Sequence, residues 1–338
     1  MQDKTFQAKR KHHYVWANYL KRWSTNGRDI YYTTITGKIK YDSVLGLAMD
    51  KDFYQLKPID SFQLEVIKRI SAQSPEKLQE QHKAYFSDFC KLQQAEEAYN
   101  LSATKNMGVD KAIYATKCNL LENLHACYES DAWPILNELT NGNLNILDDD
   151  KNMIKFMVFL GHQVTRTKNF KDIAILATSN NSTELGIKLK KAMEDAWWFI
   201  SYMYGMNFGA SLYFSRKQEN HSLLLNNTSV PFITSDQPLI NVHPNIRDDV
   251  FKAPSESEFD FYYPISPKYA YFISASHRFE KGIITIDENT VIELNTKLSK
   301  HAITHIFSDR KEILEPYKKL VGQNIKKAGE HFENIKNS

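Results

Sequence analysis

The feature that most constrains this chain is a change of periodicity near residue 205. Between residues 59 and 206, apolar side chains recur every three or four positions, as on the buried face of a helix. Downstream they fall into short aromatic and β-branched runs separated by turn residues, the pattern of strands. Grouped helices followed by grouped strands, with no βαβα alternation, predict an α+β fold and not a doubly wound sheet.

The chain divides on this pattern into three stretches. Residues 1–58 form a mixed unit. In it HHYVWANYLKRWS reads as a short helix or turn, DIYYTTITGKIKYDSV as a β-hairpin turning at Thr36 and Gly37, and DFYQL as one more strand. Residues 59–206 are the helical region. Asp60 or Ser61 opens its first helix, and Ser74-Pro75-Glu76 opens the next. The Asp148-Asp149-Asp150 run reads as an N-terminal cap and not a metal cluster, because acids oppose the positive end of the helix dipole. The clearest helix carries Leu185, Leu189, Met193, Trp197, Ile200 and Tyr204, and Gly205 is expected to end it. Residues 207–338 are β-rich, with SLYFS, SLLLNN, PFITSD, FDFYYPIS, YAYFISA and GIITID as strands. A helix is expected over 288–301, then the strand ITHIFS and a terminal helix from KEILEPYKKL onward. This third stretch is expected to pack with 1–58 as one body.

Composition fits such a fold. Over 338 residues, 42% are hydrophobic and 25% charged, with 12 Gly and 10 Pro, which excludes disorder and collagen-like sequence. Three cysteines, Cys90, Cys118 and Cys127, are too few and too scattered for a disulfide framework or a C-x-x-C zinc site. The first residues lack an apolar signal core. The apolar stretch 153–164 is broken by Lys155 and His162 and is too short to span a bilayer. A soluble, reducing, cytoplasmic protein without a membrane partner is expected.

Charge is uneven although the net value is only +3. Residues 1–40 hold nine Lys or Arg against two Asp, and residues 310–338 hold seven against four Glu. A basic head and tail around an acidic middle suit either a phosphate-facing surface or termini folded over an acidic body.

Known cofactor and nucleophile signatures are missing: no G-x-G-x-x-G after a strand, no P-loop, no H-E-x-x-H and no G-x-S-x-G. His301 and His305 share a face only in a helix, and their neighbours favour a strand.

Three places break the local pattern. Lys11-His12-His13-Tyr14 puts two imidazoles at the head of the first element, as a general acid/base, a ligand or a solvated pair. Gly161-His162-Gln163-x-x-Arg166 puts polar groups at the end of an apolar helix, lining a site or emerging into solvent. Thr234-Ser235-Asp236-Gln237-Pro238 puts a carboxylate where a strand meets a loop, as a base or ligand, or as an Asx-turn.

Taken with the Pro264-Ile265-Ser266-Pro267 loop, these segments resemble a bacterial domain-of-unknown-function family, number forty-two thirty-eight. Its members show, in order, a His-His-Tyr-Val-Pro-like run, a Gln-x-x-Arg-Thr helix end, a Thr-Ser-Asp-x-Pro strand end and a Pro-(Leu/Ile)-Ser-Pro loop. Here Trp16 stands where proline is usual. The match runs over roughly residues 10–308.

The resemblance carries no established reaction. It implies that His12 or His13, Arg166 and Asp236 meet in one pocket as the catalytic set. Tyr14, Gln163, Ser235 and Lys11 would be substrate-binding. A divalent metal, Mg, Mn or Zn, would sit on His13 and Asp236. Such a set suits a hydrolase-type, nuclease-like effector acting on a phosphodiester, nucleotide or nucleic acid, with a role in phage defence. The basic head, Lys9, Arg10, Lys11, Lys21 and Arg22, would meet nucleic acid. The rival expectation is a non-catalytic binding or sensor module partnering another effector protein. A third is that Asp236 and Arg166 form a buried structural ion pair.

Overall fold

A computed structural model describes residues 7–178, 183–246, 254–255 and 257–337. The chain starts with strand β1 (Lys11–His13), helix α1 (Ala17–Leu20), the hairpin β2 (Asp29–Thr33) and β3 (Ile39–Ser43), and β4 (Met49–Lys51). The helical region holds α2 (Ser61–Ser71), α3 (Glu76–Leu101), α4 (Met107–Thr140), α5 (Asp150–Thr165), α6 (Lys168–Thr178), α7 (Glu184–Asp195) and α8 (Trp197–Ser215). There follow β5 (Asn220–Asn226), β6 (Thr234–Ser235), β7 (Ile240–Asn241), β8 (Asp260–Pro264), β9 (Tyr269–Ser274) and β10 (Gly282–Ile286). The chain ends with α9 (Glu288–His301), β11 (Ile306–Ser308), α10 (Lys311–Leu314) and α11 (Gln323–Asn337). The fold is α+β, with helices in the middle and strands towards both ends.

Three sheets form. β1 pairs antiparallel with β4, aligning His12 with Asp50. A five-stranded sheet runs β10-β5-β9-β8-β7, with β10 parallel to β5 and the other pairs antiparallel. A four-stranded antiparallel sheet runs β3-β2-β11-β6, so the N-terminal hairpin is completed by strands from the far end of the chain.

Local chemistry sets the helix starts. Asp60 caps α2 in a reciprocal box with Gln63. Asp149, from the acidic triplet, accepts from the amide of Asn152 at the head of α5. Cys90, Cys118 and Cys127 are unpaired thiols on helices.

Four expectations need correction. Gly205 does not end a helix: α8 runs on to Ser215, so SLYFS is helical. The helix expected over 185–204 is two helices broken at Ala196. DFYQL is a turn after β4, and after α10 the chain turns until α11 begins at Gln323. The reason at Gly205 is packing. Gly161 on α5 faces Gly205 and Gly209 on α8 so closely that a Cβ on Gly161 would lie 2.4 Å from the Gly205 carbonyl oxygen. Glycine lies mid-helix because backbone meets backbone there, and close contact outweighs its low helix propensity.

The larger core cluster lies between α4, α5, α8 and the inner face of the five-stranded sheet, with Phe156, Phe159, Leu160, Trp197 and Tyr271 almost fully buried. Just past the carboxyl end of α5, Arg166 bonds His13 of β1 and Thr167 bonds Gln237 after β6, which brings the singled-out segments together.

Candidate functional site

His12 is held on β1 with no exposure. Its Nε2–H donates to the Lys9 carbonyl at 2.7 Å, and its Nδ1 accepts the Tyr54 amide at 2.8 Å. That pair of contacts requires the neutral ring, and burial lowers its pKa accordingly. Both nitrogens are therefore committed to backbone. His13 is partly buried, and burial, followed by the Arg166 charge, lowers its pKa as well. Its backbone carbonyl accepts a hydrogen bond from Arg166. Tyr14 is 5% exposed and is pushed above the ordinary phenol range by burial and by the charge of Asp236.

Arg166 caps α5 and is 1% exposed. One guanidinium nitrogen meets Glu129 of α4 at 2.5 Å, another meets the His13 carbonyl, and its own carbonyl accepts the Tyr54 hydroxyl at 2.8 Å. Although burial works the other way, the Glu129 charge keeps the guanidinium firmly protonated. Gln163 is equally buried, and its Oε1 has no hydrogen-bond partner among the described residues.

Asp236 is 4% exposed and accepts four hydrogen bonds from one loop: the amides of Ile303 (3.0 Å), Thr304 (2.7 Å) and His305 (3.0 Å), and the Thr304 hydroxyl (2.8 Å). A carboxylate with this many donors is a backbone clamp. Ser235 closes a turn, donating to the Gln237 carbonyl at 2.8 Å and accepting its amide at 3.0 Å. Gln237 then ties the segment to the turn between α5 and α6 by accepting from the Thr167 hydroxyl.

The singled-out segments thus converge, but as a buried joint. Arg166 takes its carboxylate partner from Glu129, so the expected Asp236–Arg166 ion pair is replaced by an Arg166–Glu129 pair and an Asp236 loop clamp. The oxygens of Asp236 that a metal would need face three amides and a hydroxyl. Among the described residues no group of three or more His, Cys, Asp or Glu is arranged to hold a metal ion.

Sequence reasoning passed over one stripe. Glu122, His125 and Glu129 follow one another at i, i+3 and i+7 on α4, and that spacing alone places them on one face. His125 lies 5.7 Å, centroid to centroid, from His162 on α5. Both rings are buried, and none of their four nitrogens has a hydrogen-bond partner among the described residues. Burial, reinforced by Arg166, drives His125 well below its usual pKa and His162 down to about 3. Both are neutral at pH 7.

The basic head is largely spent inside the molecule. Lys9 bonds Asn123 at 2.7 Å, and Arg10 pairs with Asp52. Arg22 bonds Asn137 at 2.9 Å and lies over the Trp133 ring at 4.9 Å. Only Lys11 and Lys21 of the five cations assigned to nucleic acid make no side-chain bond among the described residues.

An open cleft lies next to this joint. A cleft of about 320 Å³ runs between the segment from Asp50 to Lys57, Lys171 of α6 and the junction of α7 with α8. Its floor touches the joint through Phe53, whose ring centroid is 4.9 Å from that of Tyr54. Asp195 bonds both Lys57 (2.8 Å) and Lys191 (3.0 Å), which hold its carboxyl below the usual range against the effect of burial. Asp50 pairs with Lys168 at 2.9 Å.

Among the described residues no helix is long and apolar enough to cross a membrane. No curated protein and no solved structure shows significant similarity to the chain. The sequence profile of one family, described as Protein of unknown function (DUF4238), matches residues 11–312. With most of its length accounted for in this way, the chain belongs to the DUF4238 family.

Proposed function

We propose that this chain is a non-catalytic ligand-binding module, and that its ligand enters the cleft between the 50–57 segment, α6 and the α7–α8 junction. The observation that carries this reading is the placement of His12, Arg166 and Asp236. Each is almost fully buried and committed to internal partners, whereas general acid/base work needs a group within hydrogen-bond reach of a substrate. The cleft, by contrast, is open, charged and joined to the buried joint through Phe53 and Tyr54. A ligand there would be felt at β1 and at the end of α5, the behaviour expected of a sensor. In a phage-defence setting it would report to a partner effector.

The test is a turnover panel of phosphodiesters and nucleotides with Mg, Mn or Zn, beside a thermal-shift screen of small molecules. Stabilisation by a ligand that Phe53→Ser abolishes, with no turnover, supports the module. Metal-dependent turnover overturns it.

One observation favours the hydrolase reading. The unpartnered nitrogens of His125 and His162 stand beside Arg166, a phosphate-binding side chain. Phosphodiester hydrolysis would then occur at this cluster, after β1 moves away from α4 and α5. Turnover that His162→Asn removes from a folded protein would establish that alternative.

A further inference from the structure

We infer that the cleft takes a small organic anion, a carboxylate or a phosphate monoester, whose charged end sits on Lys171. This deepens the binding-module reading and rests on the cleft being the site.

The wall's charges are unevenly matched. Asp50, Asp52 and Asp195 each have a cation of their own, in Lys168, Arg10 and the pair Lys57 and Lys191. Glu194, the other acid of the wall, makes no ion pair among the described residues but is exposed to water, which screens it. Among the described residues, Lys171 has neither a side-chain hydrogen bond nor an ion pair. Its ammonium lies 5.1 Å from the centre of the Phe53 ring, and Asp172 and Glu194 act on it only at longer range. A half-buried ammonium without an acceptor is costly, and burial lowers the pKa of Lys171 while raising that of Asp172. An anion on Lys171 would relieve that cost.

A second observation adds to the charge. Lys51, in the cleft wall, is aligned with Lys11 across the β1–β4 ladder. Residues directly opposite share a face, and like charges there repel. Neither lysine has a side-chain partner among the described residues. An anion in the cleft would lower this repulsion too.

Size selects the class. About 320 Å³ falls at the small end of ligand cavities, roughly 300–1,000 Å³. That fits a small molecule and not a nucleic-acid strand. Phe53, partly exposed, offers an apolar surface for the ligand's stem.

The test titrates the full chain with inorganic phosphate and, separately, with acetate, following the indole amide resonances of Trp197 and Trp198, which stand in the cleft wall. The expected result is a saturable shift with at least one anion. Affinity should fall about tenfold or more in Lys171→Met, as for a lost charge-assisted hydrogen bond. It should be retained in Lys171→Arg and in Lys151→Met, at the far end of α5. Methionine keeps the lysine stem, so the fold is preserved. Saturable shifts that Lys171→Met leaves unchanged overturn the anchor while the cleft remains a binding site. No response to either anion overturns the anchor, and a small-molecule screen that also finds nothing then removes the binding-module reading.

Discussion

The guanidinium of Arg166 donates to the backbone carbonyl of His13, 153 residues earlier in the chain. A side chain expected in the catalytic set thus clamps the strand that carries the expected base. The same guanidinium meets Glu129, so one residue joins β1, α4 and α5.

This joint makes a stability prediction. Arg166→Met leaves the Glu129 carboxyl buried without its cation, and Glu129→Leu leaves the Arg166 guanidinium buried without its carboxylate. Each single change should cost about 3–5 kcal/mol in urea unfolding. The double variant should recover part of that loss, because two apolar side chains replace a desolvated pair. A loss below about 1 kcal/mol in Arg166→Met would show that the pair does not hold the joint.

Asp236 allows a more local experiment. Oδ2 alone accepts the Thr304 amide, the Thr304 hydroxyl and the His305 amide. Asp236→Asn keeps the shape, but its amide nitrogen cannot accept. The expected cost is about 2 kcal/mol, with faster amide exchange at residues 303–305. Exchange unchanged at those three amides would contradict the clamp.

Much of the fold is legible in the sequence, and the reasons differ by element. Asp60 and Asp149 announce their helices because a cap needs only neighbouring residues. SLYFS misleads because a short aromatic run suits a strand or a buried helix equally. What decides is α5 lying against α8, which no local pattern reveals. The site divides in the same way. The convergence of the 11–14, 161–167 and 234–238 segments follows from the family resemblance and from no local pattern. The role of Asp236 is not, since it depends on donors that arrive 67 to 69 residues later. The stripe of Glu122, His125 and Glu129 is readable from spacing, but its partner Arg166 lies on another helix.

The glycine contact between α5 and α8 can be tested by adding one methyl group. In Gly161→Ala the new Cβ would meet the Gly205 carbonyl oxygen at 2.4 Å and the Gly209 amide nitrogen at 2.5 Å. Both are backbone atoms, so the helices must separate. A loss of about 3 kcal/mol is expected from such overpacking. Gly329 in α11 is the contrast, because a Cβ there meets nothing within 4 Å. Gly329→Ala should instead stabilise by about 0.5–1 kcal/mol through helix propensity. Equal effects at the two positions, read by thermal and urea unfolding, would contradict close packing at Gly161.

The buried histidines predict how stability depends on pH. In the unfolded chain a histidine takes its proton near pH 6.5, whereas folded His162 stays neutral down to about pH 3. The unfolded state therefore binds more protons as pH falls below 6.5, and stability falls with it. The contribution of His162 is complete above pH 6.5 and drains away between 6.5 and 3, at about 1.4 kcal/mol per pH unit. His125 is shifted in the same direction by the same burial and steepens the slope. Depressed carboxyls such as Asp52 and Asp195 titrate lower, below the unfolded Asp value of about 3.9. Unfolding measured at pH 7.5, 6.5, 5.5 and 5.0 should show a steady loss from 6.5 downward. His162→Asn should flatten that slope by about 1.4 kcal/mol per pH unit, whatever its absolute stability. A variant whose slope matches the parent protein would mean that His162 takes up its proton in the folded state, and that the centre of the joint is open to water.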